Sequence, residues 1–131
     1  MVGIVIVSHS KKIAEGVRDV SEQMAGSSVK IIAAGGVAEN EIGTDASRIT
    51  EAIRQADTGE GVVVLLDLGS AVLSTETALE FLDETLRGRV LIADAPLVEG
   101  AISAAISASS GSPLREVVSA AEEARHLQKL N

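Results

Sequence analysis

One histidine in this sequence stands where its chemistry can be used. His9 comes directly after a short apolar run at 2–7. An imidazole with one ring nitrogen held by a carboxylate presents its other nitrogen as a nucleophile. Asp67 follows a second apolar run, at 61–66, and can supply that carboxylate. The pair predicts a nucleophilic histidine that accepts a phosphoryl group, with an aspartate that orients its ring and stabilises its positive charge.

The turn after Asp67 offers a place for the phosphate. It reads Asp-Leu-Gly-Ser-Ala over 67–71 and leads into a predicted helix. Free backbone N–H groups at a helix N-terminus bind anions, a glycine permits close approach, and serine adds a hydroxyl. An ordinary strand-to-helix turn with a serine cap would have the same kind of sequence, so the alternative that this turn binds no phosphate stays open. We expect the phosphoryl group to contact Gly69, Ser70, Ala71 and Ser74.

Two further segments at strand ends carry polar residues. The loop at 35–45 has three glycines and is longer than most connections of this kind, which is typical of functional loops. Within it, Asp45 is expected to cap the next helix, and Thr44 to cap it, to contact phosphate, or both. Asp94 either orients the site or caps a helix, and we favour the cap. His126, near the end of the last helix, is assigned no chemistry.

The elements that must position these residues are short strands and intervening helices. The four apolar runs are rich in β-branched residues and apolar on both faces, as in a parallel sheet covered by helices on both sides. They span 2–7, 29–34, 61–66 and 89–93. The spacing predicts helices at 11–25, 45–57, 70–86 and 97–109, and a last one opened by Pro113 behind Ser112 as N-cap.

Four of these helices carry apolar stripes that we expect to face the core. In chain order the stripes consist of Ile13, Val17, Val20 and Met24; of Ala46, Ile49, Ile53 and Ala56; of Val72, Leu73, Leu79, Leu82 and Leu86; and, in the last helix, of Leu114, Val117, Val118 and Ala121.

The alternation of strands and helices predicts one doubly wound α/β domain over 1–131. Its four core strands should form a mainly parallel sheet of order 2-1-3-4 with helices on both faces. The winding then reverses between strands 1 and 3, where ligands bind beyond the carboxyl ends. On this topology His9 and Asp67 meet, although they are 58 positions apart in the sequence.

Amino-acid composition and missing motifs argue against several classes of ligand and site. The 131 residues carry a net charge of −8, which argues against binding to nucleic acid or anionic membranes. There is no Cys, so disulfides and thiolate metal sites are excluded, and a cytoplasmic location is expected. The sequence has no secretion signal, membrane span, metal cluster or Walker lysine pattern, and we expect no cofactor.

Five motifs spread over most of the chain carry a family resemblance. They are GIVIVSHS at 3–10, GG at 35–36, IGTD at 42–45, DLGSA at 67–71 and DAPLVEGA at 94–101. With them the sequence resembles the DhaM family, the phosphotransferase subunits of phosphoenolpyruvate-dependent dihydroxyacetone kinases. The core domain of that family is related to the IIA domain of mannose-type sugar phosphotransferase systems. Ser74 stands where many relatives have Asn.

The resemblance implies a phosphoryl donor, a carrier residue and a phosphoryl acceptor. His9 would be phosphorylated on Nε2 while Asp67 bonds Nδ1. The phosphoryl group would come from phospho-HPr and pass to ADP held by the nucleotide-binding subunit of dihydroxyacetone kinase, which then phosphorylates dihydroxyacetone. The resemblance also implies a homodimer. Because the sequence ends at Asn131, only the IIA-like module is expected.

Three other interpretations stay open. A IIA domain that feeds a mannose-type sugar permease would have the same fold and histidine. A response-regulator receiver is disfavoured because it needs an acidic pair where this chain has Ser8, His9 and Ser10. The third is a flavodoxin-like binding or scaffolding domain without turnover, and the lack of Trp and Tyr argues against flavin. For His9 taken alone, a structural role that only packs or caps the strand end is the alternative to chemistry.

Overall fold

The structure, a computed structural model, describes residues 1–39 and 41–131. Four parallel strands form one sheet in the order β2-β1-β3-β4, which confirms the predicted order. The strands are β1 (Gly3–Ser8), β2 (Ile31–Gly35), β3 (Val62–Leu66) and β4 (Val90–Ile92). Asn40, in the predicted long loop, lies outside the described residues.

Six α-helices connect and follow the strands. They are α1 (Lys11–Ala25), α2 (Ala46–Ala56), α3 (Ser70–Glu80), α4 (Glu84–Arg87), α5 (Leu97–Ser109) and α6 (Leu114–Glu123), followed by a 3-10 turn at Ala124–His126. The last helix begins one residue later than predicted, and its N-cap is Pro113 rather than Ser112.

The helices cover both faces of the sheet, as predicted, and each face has its own core. Alternate residues of β1 supply the two cores, because successive side chains of a strand point to opposite faces. Ile4 and Ile6 pack with α1, α5 and α6, whereas Val5 and Val7 pack with α2, α3 and α4. Within the part of the chain that the structure describes, no helix has the length and hydropathy needed to span a membrane.

The predicted apolar stripe of α1 is wrong for three of its four residues. Val17 is buried, but Ile13, Val20 and Met24 are exposed. The buried side of the helix is formed by Ala14, Val17 and Ser21. This side packs against α5, whose buried face consists of alanines and a glycine. Small side chains on both helices allow the backbones to approach closely. Helix α1 is therefore rotated so that its small residues face α5, and its larger residues Ile13, Val20 and Met24 are left exposed.

The single helix expected at 70–86 is two helices. α3 ends at Glu80, and α4 begins after Asp83, whose carboxylate accepts a hydrogen bond of 2.8 Å from the N–H of Leu86. An aspartate that caps a helix start competes with continuation of the preceding helix. Leu82 and Leu86 are buried as predicted, whereas Val72 and Leu73 on α3 are exposed.

The sheet register brings the site together. Val7 of β1 is opposite Leu66 of β3, and the N–H of Asp67 donates to the Val7 carbonyl at 3.1 Å. The residues that follow β1 and β3 therefore start from adjacent points at the carboxyl edge of the sheet.

Candidate functional site

His9 and Asp67 meet at this edge, as predicted. The Nδ1 atom of His9 lies 3.0 Å from Oδ1 of Asp67. The side chains are 26% and 19% exposed, so a reacting group can reach the imidazole while the carboxylate behind it is mostly covered. A ring held at one nitrogen and open at the other has the geometry of an oriented nucleophile.

The Asp67 carboxylate is held by four hydrogen bonds. Its Oδ2 accepts from the Ser8 hydroxyl at 2.8 Å and from the N–H of His9 at 2.9 Å. Its Oδ1 accepts from the N–H of Leu68 at 2.7 Å, in addition to the imidazole. Burial by itself would raise the pKa of Asp67, but these hydrogen bonds outweigh it and lower the pKa below the ordinary value of 3.8. The carboxylate is therefore ionised at neutral pH.

An ionised Asp67 determines the tautomer of His9. Since the carboxylate only accepts, Nδ1 must carry the proton, and Nε2 is left with its lone pair. Nε2 lies 2.9 Å from the Ser70 hydroxyl, which must donate to it. Nε2 is thus the ring nitrogen with an available lone pair, and it faces the start of α3.

Three hydroxyl groups continue from Nε2 in one chain. Ser70 Oγ lies 3.2 Å from Thr44 Oγ1, which lies 2.7 Å from Ser74 Oγ. Because Ser70 donates to the imidazole, it accepts from Thr44, and Thr44 in turn accepts from Ser74. The structure thus brings Thr44, Ser70 and Ser74 together beside His9, and the first two have hydroxyls that can turn toward a phosphoryl group on Nε2.

The start of α3 adds backbone donors. Its N-cap is Gly69, with φ of 56° and ψ of −121°, a conformation that residues with a Cβ rarely adopt. Among the described residues, no side chain caps this helix. The N–H of Ala71 donates to the Leu68 carbonyl at 3.2 Å. The first turns of α1 and α3 read Lys-Lys-Ile and Ser-Ala-Val, so they contain no carboxylate to compete with an anion for the positive helix ends.

The loop that carries Thr44 is tied to the end of β1. The N–H of Gly43 donates to the His9 carbonyl at 2.9 Å, and the N–H of Gly36 to the Ser8 carbonyl at 3.3 Å. Asp45 caps α2 by accepting from the N–H of Ser47 at 2.9 Å, as predicted. Thr44 is therefore held in place from both sides, by backbone contacts before it and by a helix cap after it.

Asp94 takes neither of the roles considered for it. Its carboxylate is 95% exposed and lies 3.5 Å from Arg125, and the N-cap of α5 is Pro96. The preferred cap is therefore wrong. His126 lies in the 3-10 turn that follows α6. Over residues 1–39 and 41–131, no group of three or more His, Cys, Asp and Glu side chains is placed to hold a metal ion.

Ser8 is the residue at this site that the sequence reasoning missed. It is fully buried at the end of β1 and donates to Asp67. The available signal was a hydroxyl residue at the end of an otherwise apolar, buried strand, since buried polar groups need partners.

Comparison with known proteins agrees with this fold and identifies the family. Residues 3–125 match the model of the EIIA-man family, described as the PTS system fructose IIA component. The chain is 44% identical over 118 residues to the phosphoryl donor subunit DhaM of PEP-dependent dihydroxyacetone kinase 2 from Listeria innocua, covering 90% of this chain and 94% of that protein.

Two other similar proteins are a longer DhaM subunit and a protein with a solved crystal structure. The DhaM subunit from Providencia stuartii is 43% identical over 127 residues, which are 95% of this chain but 27% of that protein, so this chain spans about a quarter of it. The crystal structure of EF1359, a protein of unknown function, matches with a TM-score of 0.82 and 38% identity over 93% of this chain and 94% of that one. The match over 3–125 and the match to 94% of the Listeria subunit show that this chain belongs to the EIIA-man family, together with the DhaM proteins.

Proposed function

We propose that this chain is a phosphohistidine carrier. His9 accepts a phosphoryl group from phospho-HPr on Nε2 and transfers it to ADP bound to the nucleotide-binding subunit of dihydroxyacetone kinase. The observation that carries the proposal is the line of contacts from Asp67 through His9 to Ser70, at 3.0 and 2.9 Å. It fixes one ring nitrogen as a proton donor to a carboxylate and leaves the other as the nucleophile.

Each transfer exchanges one bond to phosphorus for another. In the first, the P–N bond of phospho-HPr breaks as His9 Nε2 bonds to phosphorus, and the ring gains the positive charge that Asp67 stabilises. In the second, a β-phosphate oxygen of ADP bonds to phosphorus as the Nε2–P bond breaks, which forms ATP and returns His9 to its neutral state. Positioning and charge neutralisation supply most of the catalysis in such transfers.

The proposed phosphate site lies between α3 and the Thr44 loop. The Ser70 and Thr44 hydroxyls donate to phosphoryl oxygens once Nε2 is occupied, and Ser74 holds Thr44 at 2.7 Å. The backbone N–H groups of Gly69 and Ser70 at the start of α3 add further donors. The N–H of Ala71 joins them only after leaving its 3.2 Å bond to Leu68.

The proposed recipient and setting follow from the similar proteins. The Listeria relative of nearly equal length is a phosphoryl donor subunit of a dihydroxyacetone kinase, which supports a kinase subunit as recipient and activity as a phosphoenolpyruvate-glycerone phosphotransferase subunit. We further propose that residues 1–131 form a single IIA-like domain and that two copies of the chain associate as a homodimer in the cytoplasm. Sedimentation equilibrium tests the dimer, and a mass of one chain at micromolar concentration contradicts it.

A labelling experiment tests the carrier function. The chain is incubated with labelled phosphoenolpyruvate, enzyme I and HPr, together with the variants His9→Ala, His9→Gln and His126→Ala. We expect acid-labile phosphate on the wild type and on His126→Ala, and none on either His9 variant. Label that persists on His9→Gln refutes His9 as the acceptor, and absence of label from the wild type refutes the carrier function.

A sugar phosphotransferase system is the second candidate. It is favoured by the description of the matching family, which names a fructose IIA component. Purified phosphorylated chain is divided between the kinase nucleotide-binding subunit with ADP and a mannose-type permease IIB domain. Rapid transfer of label to ADP on the kinase subunit, recovered as labelled ATP, supports the proposal, and transfer to the IIB domain alone supports the second candidate.

A further inference from the structure

Ser8 occupies an unusual place for a hydroxyl group. It is the last residue of β1 and is fully buried in a strand whose other residues are apolar or glycine. Its Oγ donates to Asp67 Oδ2 at 2.8 Å and accepts from the N–H of Ser10 at 3.1 Å. Both hydrogen-bonding roles of the hydroxyl are therefore filled inside the protein.

The bond from Ser10 gives the Ser8 hydroxyl a direction. Because the N–H of Ser10 donates to a lone pair of Ser8 Oγ, the hydroxyl proton of Ser8 points away from Ser10 and toward the Asp67 carboxylate. Ser10 is also the N-cap of α1, where its own Oγ accepts from the N–H of Ile13 at 3.3 Å. The hydroxyl thus links the start of α1 to the carboxylate.

The Ser8 bond restrains rotation of the Asp67 carboxylate. Oδ2 is held from one side by the Ser8 hydroxyl and by the N–H of His9. With Oδ2 fixed, Oδ1 stays in line with the imidazole Nδ1 and with the N–H of Leu68. A carboxylate that lost the Ser8 bond would keep one donor on Oδ2 and could turn its Oδ1 away from the ring.

We propose that Ser8 is a positioning residue that aligns the Asp67 carboxylate with His9 Nδ1 and so keeps Nε2 unprotonated for phosphoryl transfer. The inference rests on the proposed carrier function for its kinetic consequence, but its effect on the His9 tautomer exists without any transfer. For metal-ligating histidines, removal of the partner that orients the ring through its second nitrogen lowers metal affinity or activity by roughly 10- to 100-fold, and we take the lower end as the scale for Ser8, which acts one hydrogen bond further away. Ser8 is buried, so it acts without touching either phosphoryl partner.

The test uses Ser8→Ala with Ser21→Ala as its matched control. Ser21 is also fully buried, and within the described residues its hydroxyl has no hydrogen-bond partner, so the control removes a buried hydroxyl without breaking a hydrogen bond. The His9 tautomer is measured by ¹⁵N NMR of the unphosphorylated chain at neutral pH. Single-turnover phosphorylation by phospho-HPr is measured over a range of donor concentrations.

We expect Ser8→Ala to raise the fraction of His9 protonated on Nε2. The maximal phosphorylation rate should fall roughly tenfold, with half-saturation by the donor unchanged. Ser21→Ala should match the wild type in both measurements, and Ser8→Thr, which keeps the hydroxyl, should restore the tautomer ratio. Adding Ser8→Ala to Asp67→Ala should cost no further rate, because both changes remove the same effect.

Three results overturn the inference. The first is a tautomer ratio and a rate in Ser8→Ala within twofold of the wild type. The second is an equal loss in Ser21→Ala, which would indicate a general effect of buried hydroxyl removal. The third is a full additional loss in the Asp67→Ala background. If the wild type takes no phosphate at all, the carrier function fails, while the tautomer measurement still decides the role of Ser8.

Discussion

Asp67→Asn is the substitution that tests the site most sharply, because it keeps the shape of the side chain and removes its charge. The carboxylate accepts four hydrogen bonds, two on each oxygen. An amide has only one oxygen, so its NH₂ group must face one of these two pairs of donors. Each pair contains a backbone N–H, from His9 or from Leu68, which cannot reverse its role.

The two orientations of the Asn side chain have different costs. If the NH₂ group faces Leu68 and the imidazole, the ring must accept at Nδ1, and the proton moves to Nε2, where it blocks the nucleophile. If the NH₂ group instead faces Ser8 and the N–H of His9, this N–H loses its acceptor. The His9 ring then keeps an oxygen acceptor, but one that is neutral instead of charged. A hydrogen bond to a charged group contributes about 1.5–3 kcal/mol, and an unmet buried donor costs about 1–3 kcal/mol.

These magnitudes predict a large kinetic effect. Tautomer reversal by about 1.5–3 kcal/mol lowers the reactive fraction by roughly 10- to 150-fold. Loss of the carboxylate that stabilises the charged ring adds to this, and the corresponding change in a Ser-His-Asp triad costs about 10⁴-fold. We expect phosphorylation by phospho-HPr to slow by roughly 10²- to 10⁴-fold, measured by rapid quench at saturating donor.

Asp94→Asn is the matched control for this substitution. Asp94 also follows a parallel strand at the carboxyl edge, but its carboxylate is 95% exposed and paired with Arg125 at the surface. It should leave the rate unchanged within about twofold, as surface ion pairs contribute little. An Asp67→Asn variant that folds and is phosphorylated within threefold of the wild-type rate would refute the reasoning about the tautomer.

Three further predictions follow from the same structure. Ser70→Ala removes the hydroxyl 2.9 Å from Nε2, and we expect rapid-quench phosphorylation to slow roughly tenfold; an unchanged rate would exclude Ser70 from the phosphate site. The lowered pKa of Asp67 means that its ionised form stabilises the fold, a contribution present above pH about 4 and lost as the pH falls through that lowered pKa. In urea titrations the stability difference between wild type and Asp67→Asn should therefore shrink only in acid, and a difference that grows there would contradict this sign. Gly3→Ala should lower the free energy of unfolding by at least about 2 kcal/mol, because its Cβ would lie 2.0 Å from the Ala56 carbonyl oxygen. Gly16→Ala in α1, whose Cβ meets no described atom within 4 Å, should instead raise it by about 0.5–1 kcal/mol, and similar effects of the two changes would show that the close approach at Gly3 is unimportant.

The sheet order and the meeting of His9 with Asp67 could be predicted because both follow from simple rules. Short apolar runs separated by helices allow few topologies, and parallel strands end at a common edge. Once strands 1 and 3 are neighbours, the residue types at their ends determine the chemistry. The positions of Ser70 and Thr44 near that edge were predicted for the same reason, since each lies at or just before the start of a helix that follows a strand ending there.

The rotation of α1 and the break after α3 could not be predicted from periodicity. The rotation depends on the alanines of α5, which are distant in sequence and let Ala14 and Ser21 approach more closely than Val20 could. The break depends on whether Asp83 caps a new helix or continues the old one. The role of Ser8 required the orientation of a single side chain, which an apolar run with a terminal serine does not provide.

The proposed function depends on one atom, Nε2 of His9, as the carrier of the phosphoryl group. The most direct measurement is ¹⁵N and ³¹P NMR of the chain labelled with ¹⁵N-histidine and phosphorylated through enzyme I and HPr. We predict a phosphorus–nitrogen coupling at Nε2 of His9, a proton retained on Nδ1, and unchanged signals from His126. Phosphate on Nδ1, on His126 or on a carboxylate would contradict the account.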